Sequence, residues 1–88
     1  ELKMEDFNYS EYPSQTLWNA IANAHWDIKG AKAQIRGMEK KLASRRGYSH
    51  QVLDNIAFHC RAKYKLIVVL ESEIDDCMAE LRLRGDNV

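Results

Sequence analysis

The stretch LWNAIANAHWDIKGAKAQIRGMEKKL, residues 17–42, decides the fold. Within it Leu17, Ile21, Ala24, Ile28, Ala31, Ile35, Met38 and Leu42 recur at alternating spacings of four and three, without a slip. A helix turns once every 3.6 residues, so this spacing lays one apolar line along one side, the seam of a helix that packs against another helix. The same rhythm returns in the second half through Leu53, Ile56, Cys60, Lys63, Ile67, Leu70, Ile74, Cys77 and Leu81, with one lysine in place of an apolar residue. Between the two lines, Arg45-Arg46-Gly47-Tyr48 is the only credible break. The sequence therefore predicts an all-α fold, a long antiparallel two-helix hairpin with a coiled-coil-like seam.

Folding the chain at that break pairs Leu42 with Leu53, Met38 with Ile56, Ile35 with Cys60 and Ala31 with Lys63. Farther from the turn it pairs Ile28 with Ile67, Ala24 with Leu70, Ile21 with Ile74 and Leu17 with Cys77. Every layer except that of Lys63 is apolar on both sides, and small Ala24 and Ala31 face larger residues, as interdigitation requires. Neither line was chosen to match the other, so their agreement supports the hairpin.

The expected boundaries follow from local chemistry. Residues 1–13 read as an extended N-terminal arm, because Tyr12 precedes Pro13 and is biased away from helix. Ser14 is the expected N-cap of the first helix, with Thr16 as competitor, and the helix is expected over about residues 14–44, roughly 46 Å. Residues 45–48 form the turn, with Gly47 expected to supply the left-handed residue. Ser49 is the expected N-cap of a second helix over about residues 49–84, stopped by Gly85.

One seam does not use all the apolar surface. Trp26, Gly30, Ala33 and Gly37 form a second line on the opposite face of the first helix, bulky at one end and small beyond. On the second helix Phe58, Leu66, Val68 and Val69 lie off the seam, and residues 66–70 are apolar all round. A helix apolar on several faces is buried on several faces, which two helices alone cannot achieve. The expectation is a homo-oligomeric helical bundle whose interface includes Trp26, Gly30, Ala33, Gly37, Phe58, Leu66 and Val69. The alternative is an arm that folds back and covers one face with Phe7, Tyr9 and Tyr12.

Eighty-eight residues suit one domain near the small end of what sustains a core. The longest apolar run is far short of the roughly 20 residues that cross a bilayer, so no membrane partner is expected. Cys60 and Cys77 lie 17 residues apart on one helix. That separation is about 25 Å, too far for an intrachain disulfide, so a reducing, cytoplasmic setting is expected. The formal net charge of zero conceals a strong asymmetry. Residues 28–65 hold ten basic side chains against Glu39 and Asp54, whereas the rest of the chain holds Lys3, Arg82 and Arg84 against eleven acids. In a hairpin the turn end is basic and the open end acidic, a long dipole whose basic end attracts anions or an acidic partner.

The residues that carry chemistry elsewhere are poorly arranged here. His25, His50, His59, Cys60 and Cys77 include no His-x-x-x-His or Cys-x-x-Cys pair, so neither a metal nor a cofactor is expected. Lys63 on the seam breaks the rule for buried positions. Its expected role is structural, with the ammonium reaching solvent or pairing with Asp27 one turn away on the first helix. Near the turn, Lys40, Lys41, Arg45, Arg46, Tyr48, His50 and Arg61 combine cations with aromatic rings, the ingredients of phosphate or nucleotide binding, although a solvated helix face has the same composition. No convergent catalytic set emerges. The sequence points first to a small non-catalytic binding protein, an adaptor, regulator or inhibitor, that acts on another protein as a homo-oligomer. Its alternatives are a binder of nucleic acid or a nucleotide through the basic turn end, and a structural coiled-coil assembly unit.

Overall fold

A computed structural model describes residues 9–86 of the chain. Two long helices, α1 (Ser14–Ser44) and α2 (His50–Leu83), pack antiparallel along their lengths after a short 3-10 turn at Tyr9–Glu11. The helical hairpin is the fold.

The core is the seam. Leu17, Ile21, Ala24, Ile28, Ala31 and Ile35 of α1 are buried, as are Leu53, Cys60, Ile67, Ile74, Cys77 and Leu81 of α2. Met38, Leu42, Ile56 and Leu70, also on the predicted lines, are half-buried. Each fully buried Leu or Ile contributes about 1.5–3 kcal/mol of transfer free energy. Without that shared stripe neither helix would be stable alone, since isolated helices gain little from propensity in water. The molecule measures 54 × 29 × 14 Å. Its thin dimension approaches one helix diameter, so the hairpin is a single layer with two broad faces open to solvent.

Four local expectations are corrected. The arm is not extended throughout: Tyr9–Glu11 form a 3-10 turn closed by the Tyr12 amide donating to the Tyr9 carbonyl at 3.2 Å. Ser14 is not the N-cap of α1. Pro13, with φ −60° and ψ 151°, holds that position without a side-chain acceptor, and its carbonyl accepts from the Leu17 amide at 3.2 Å, so Ser14 is already helical; the Ser14 hydroxyl accepts from Arg84 Nη1 at 3.2 Å. The helix α1 ends at Ser44 as expected, but its left-handed cap is Arg45 rather than Gly47: Arg45 adopts φ 57° and its amide donates to the Lys41 carbonyl at 2.9 Å. Gly47 also has positive φ, so the chain turns through two left-handed residues. Lastly, Lys63 and Asp27 form no ion pair. Among the described residues the ion pair present is Arg84–Glu80, at 2.9 Å.

The remaining caps behave as expected. Ser49 Oγ accepts from the Val52 amide at 3.3 Å, and its carbonyl accepts from the Leu53 amide at 3.0 Å. At the far end Gly85 (φ 85°) donates to the Arg82 carbonyl and Asp86 to the Leu81 carbonyl, each at 3.0 Å, the paired bonds of a Schellman ending.

Two mutations test the seam and its turn. Ile67→Ala removes a buried side chain at mid-seam and is expected to cost about 2–5 kcal/mol in urea melts, whereas exposed Lys65→Ala stays within about 0.5 kcal/mol. Arg45→Gly removes the steric cost of a left-handed arginine and is expected to stabilise by about 0.5–1 kcal/mol; a loss of stability would contradict that backbone conformation.

Candidate functional site

The two broad faces of the hairpin differ chemically. Thr16, Ala20, Asn23, Asp27, Gly30 and Gln34 follow one another at spacings of four and three along one flank of α1. Asn55, His59, Ala62, Leu66, Val69 and Glu73 do the same on α2. Between them runs a groove of about 320 Å³ whose walls include Trp26, Gly30, Leu66 and Leu70. Asp27, Gln34 and Lys63 supply its polar atoms. The opposite flank is polar: His25, Lys32, Glu71 and Asp75 surround the edges of Ile28 and Ile74, with Met78 beside them. On that side Tyr64 donates its hydroxyl to Glu39 Oε2 at 2.7 Å and bridges the helices.

The apolar side chains placed off the seam by sequence are open to solvent. Trp26 is 73% exposed, Phe58 62%, Leu66 42% and Val69 49%, and Gly30, Ala33 and Gly37 are exposed between them. Lys29 Nζ lies 5.6 Å from the centre of the Trp26 ring, and the rings of Phe58 and His59 meet edge to face at 5.6 Å. Those contacts leave most of each ring uncovered. Gly30 and Gly37 have no neighbouring atom within 4 Å of where a Cβ would stand. Nothing inside the hairpin requires glycine at either position, although each weakens a helix by about 1 kcal/mol relative to alanine.

The basic residues divide into two groups. Lys40, Lys41, Arg45, Arg46 and His50 are exposed around the turn, with Tyr48 half-buried among them. Arg61 is exposed too, but lies about 16 Å along α2 from His50, outside that cluster. Lys63 is half-buried in the floor of the apolar groove, its stem against the seam.

The open end holds a device that sequence reasoning missed. Arg84 donates through Nε to Glu80 Oε2 (2.9 Å), through Nη1 to Ser14 Oγ (3.2 Å) and through Nη2 to the Tyr9 carbonyl (2.9 Å). One guanidinium thus ties the arm and the start of α1 to the end of α2, separated by 70 and 75 residues in sequence. The described part of the arm, from Tyr9, folds back over this end. Tyr9 packs on the core, and with Tyr12, Thr16, Ala20 and Glu73 it roofs a cavity of about 190 Å³ above Leu17 and Cys77. Phe7, expected to help in that cover, lies outside the described residues. Among the described residues, none of the arm covers the face around Trp26 and Leu66. Periodicity could not reveal the clamp, because Arg84 follows the last seam residue and its partners belong to the opposite end of the chain.

Three groups here titrate away from their usual ranges. Burial, then the charges of Glu73 and Asp76, push the Cys77 thiol above its ordinary 9.0. Burial, reinforced chiefly by Cys77 and Asp76, raises the Tyr9 hydroxyl above 10.0. The hydrogen bond to Glu39 raises Tyr64 likewise. All three are acids held in their neutral forms, so the stability they lend is complete below their unfolded values and is lost as pH climbs through the raised ones.

Among the described residues, no cluster of three or more His, Cys, Asp or Glu side chains is placed to hold a metal ion, and no helix is long and apolar enough to cross a membrane. No protein family, curated protein or solved structure matches the chain. Its function is therefore reasoned from its surfaces.

Two outcomes check this geometry. Arg84→Ala is expected to leave helicity nearly intact while speeding maleimide labelling of Cys77 severalfold, with buried Cys60 as internal reference; unchanged labelling would mean that the arm does not depend on the clamp. Thermal stability is expected to fall as pH rises from about 9 to 11. Tyr64→Phe should make that decline shallower, because phenylalanine has no proton to lose.

Proposed function

We propose that this chain is a small non-catalytic binding protein, an adaptor, regulator or inhibitor, that works through protein–protein contact as a homo-oligomer. The observation that carries the reading is the exposed apolar surface at the groove, with Trp26 and Leu66 in its walls and Val69 on the same flank, on a molecule only one helix layer thick; Phe58 is exposed elsewhere on α2. Contiguous exposed apolar side chains bordered by polar ones mark interaction surfaces, and aromatic anchors supply most of the energy of such contacts. Assembly would supply the second layer that a stable domain normally has.

A second reading rests on a separate observation, the exposed Lys40, Lys41, Arg45, Arg46 and His50 around the turn. Unpaired cations on a protruding turn suit an anionic partner, either an acidic protein surface or the phosphates of nucleic acid or a nucleotide. In an oligomer the cluster is repeated, and repeated weak contacts add through avidity.

Salt separates the two readings. Apolar docking is expected to change little between low and moderate salt, whereas phosphate contacts weaken steeply. Light scattering is expected to give a mass above the 10.2 kDa of one chain at micromolar concentration. A monomer there would overturn the homo-oligomer. Arg45→Ala with Arg46→Ala is expected to leave helicity unchanged while weakening any anionic partner, most clearly at low salt. Affinity unchanged at both salt concentrations would remove the turn end from function.

A further inference from the structure

We propose that the groove between α1 and α2 on the Trp26–Leu66 side is filled by a second copy of this chain lying antiparallel to the first. The two-fold axis passes across the rod near Gly30 and Leu66, and Asp27 of each copy faces Lys63 of the other. The proposal rests on the homo-oligomer reading and supplies its geometry.

Charge complementarity selects the occupant and its direction. The groove contains one carboxylate and one ammonium, Asp27 and Lys63, in otherwise largely apolar walls. Both helices bring them to the same cleft, yet they do not pair within the hairpin. Asp27 lies on the open-end side of Gly30, and Lys63 lies on the turn side of Leu66. A half-turn about an axis between those levels exchanges them, so each acid of one copy comes level with the base of the other. Two complementary pairs form by one symmetry operation, the property that defines an isologous interface. Opposite charges enclosed in an apolar cleft attract more strongly than the same pair in water.

The whole molecule favours the same direction. Basic side chains dominate residues 28–65 around the turn, and acids such as Glu71, Glu73, Asp75 and Asp76 dominate the open end. Antiparallel copies place each basic turn beside the acidic end of the other. Parallel copies would place like ends together, which is repulsive along most of the rod.

Shape agrees with charge. With the axis near Gly30, the exposed Trp26 ring of one copy comes down near Ala33 and Gln34 of the other, beside the open surface of Gly30 and Gly37. Leu66 and Val69 meet the corresponding stretch of the second α2. Tyr9 and Tyr12 stand on this same flank at the open end, beside Thr16 and Ala20, and the half-turn brings them level with the turn of the other copy around Arg45 and Arg46.

The test is a charge-swap cycle read by sedimentation equilibrium, with circular dichroism as the folding control. Asp27→Lys and Lys63→Glu are each expected to raise the dimer dissociation constant by about tenfold or more, and the double variant to return it to within about threefold of the unaltered protein. Because Asp27 is exposed and unpaired within the hairpin, Asp27→Lys keeps its fold and remains informative should Lys63→Glu unfold. Gly30→Leu is expected to raise helix stability while weakening the dimer, since the added side chain has room in one hairpin but not in two. For direction, an Arg46→Cys variant should form no interchain disulfide on oxidation, because antiparallel copies hold their turns at opposite ends. A protein that is monomeric at every concentration overturns both this interface and the homo-oligomer. A dimer indifferent to all three groove substitutions, or one that joins rapidly through Arg46→Cys, overturns this arrangement and leaves the oligomer standing.

Discussion

Burial of one apolar line on each helix against the other is the interaction on which everything else depends. Among the described residues neither α1 nor α2 has a second element to pack on along most of its length, so Leu17 through Ile35 and Leu53 through Leu81 supply each other's dry surface. That dependence fixes the register. Rotating one helix by a single position, about 100°, would turn its apolar line out of the interface and bring charged neighbours such as Lys32 or Asp75 toward it. The strictness of the spacing is thus a physical requirement of a fold with one interface.

A single interface also explains why the surface has unequal faces. In a larger domain, residues such as Trp26 and Phe58 would be covered by a third or fourth helix. Here the seam consumes only one stripe per helix, and the side chains beside it fall into two flanks according to phase. One flank carries His25, Lys32, Glu71 and Asp75 and is closed by the Tyr64–Glu39 hydrogen bond. The other carries an apolar groove with a lone acid and a lone base. The contrast gives the molecule an inside-like face without a matching inside, which is the surface that the proposed assembly would cover.

The open end shows how a small fold gains order where its seam ends. Helix ends leave unsatisfied backbone groups, and long hairpins fray at the end away from the turn. Arg84 counters this by joining Glu80, Ser14 and the Tyr9 carbonyl, while Gly85 and Asp86 close the last turn of α2. Drawing Tyr9 over Cys77 buries the thiol and holds it neutral. The same contacts hold the described part of the arm, from Tyr9, against the open end.

The alternating spacing of Leu17 to Leu42 and of Leu53 to Leu81 determined the helices and marked every position found buried among the described residues, because a period of 3.5 keeps one apolar line on one side of a helix, and the short break at residues 45–48 made their pairing antiparallel. Ser49 and Gly85 were legible as helix boundaries because capping is local chemistry. The left-handed Arg45 was not, since Gly47 two residues later offered the cheaper choice and the path of the turn depends on where both helices end. Sequence marked Trp26, Phe58, Leu66 and Val69 as surplus apolar surface but could not say which lay on a common flank with Asp27 and Lys63. Nor could it foresee that these two would share a groove without touching, or that Arg84 would reach across 75 residues to hold the arm. Periodicity specifies which side of its own helix a residue occupies. Only packing decides which sides of two helices meet at one cleft and whether two side chains in that cleft come within reach.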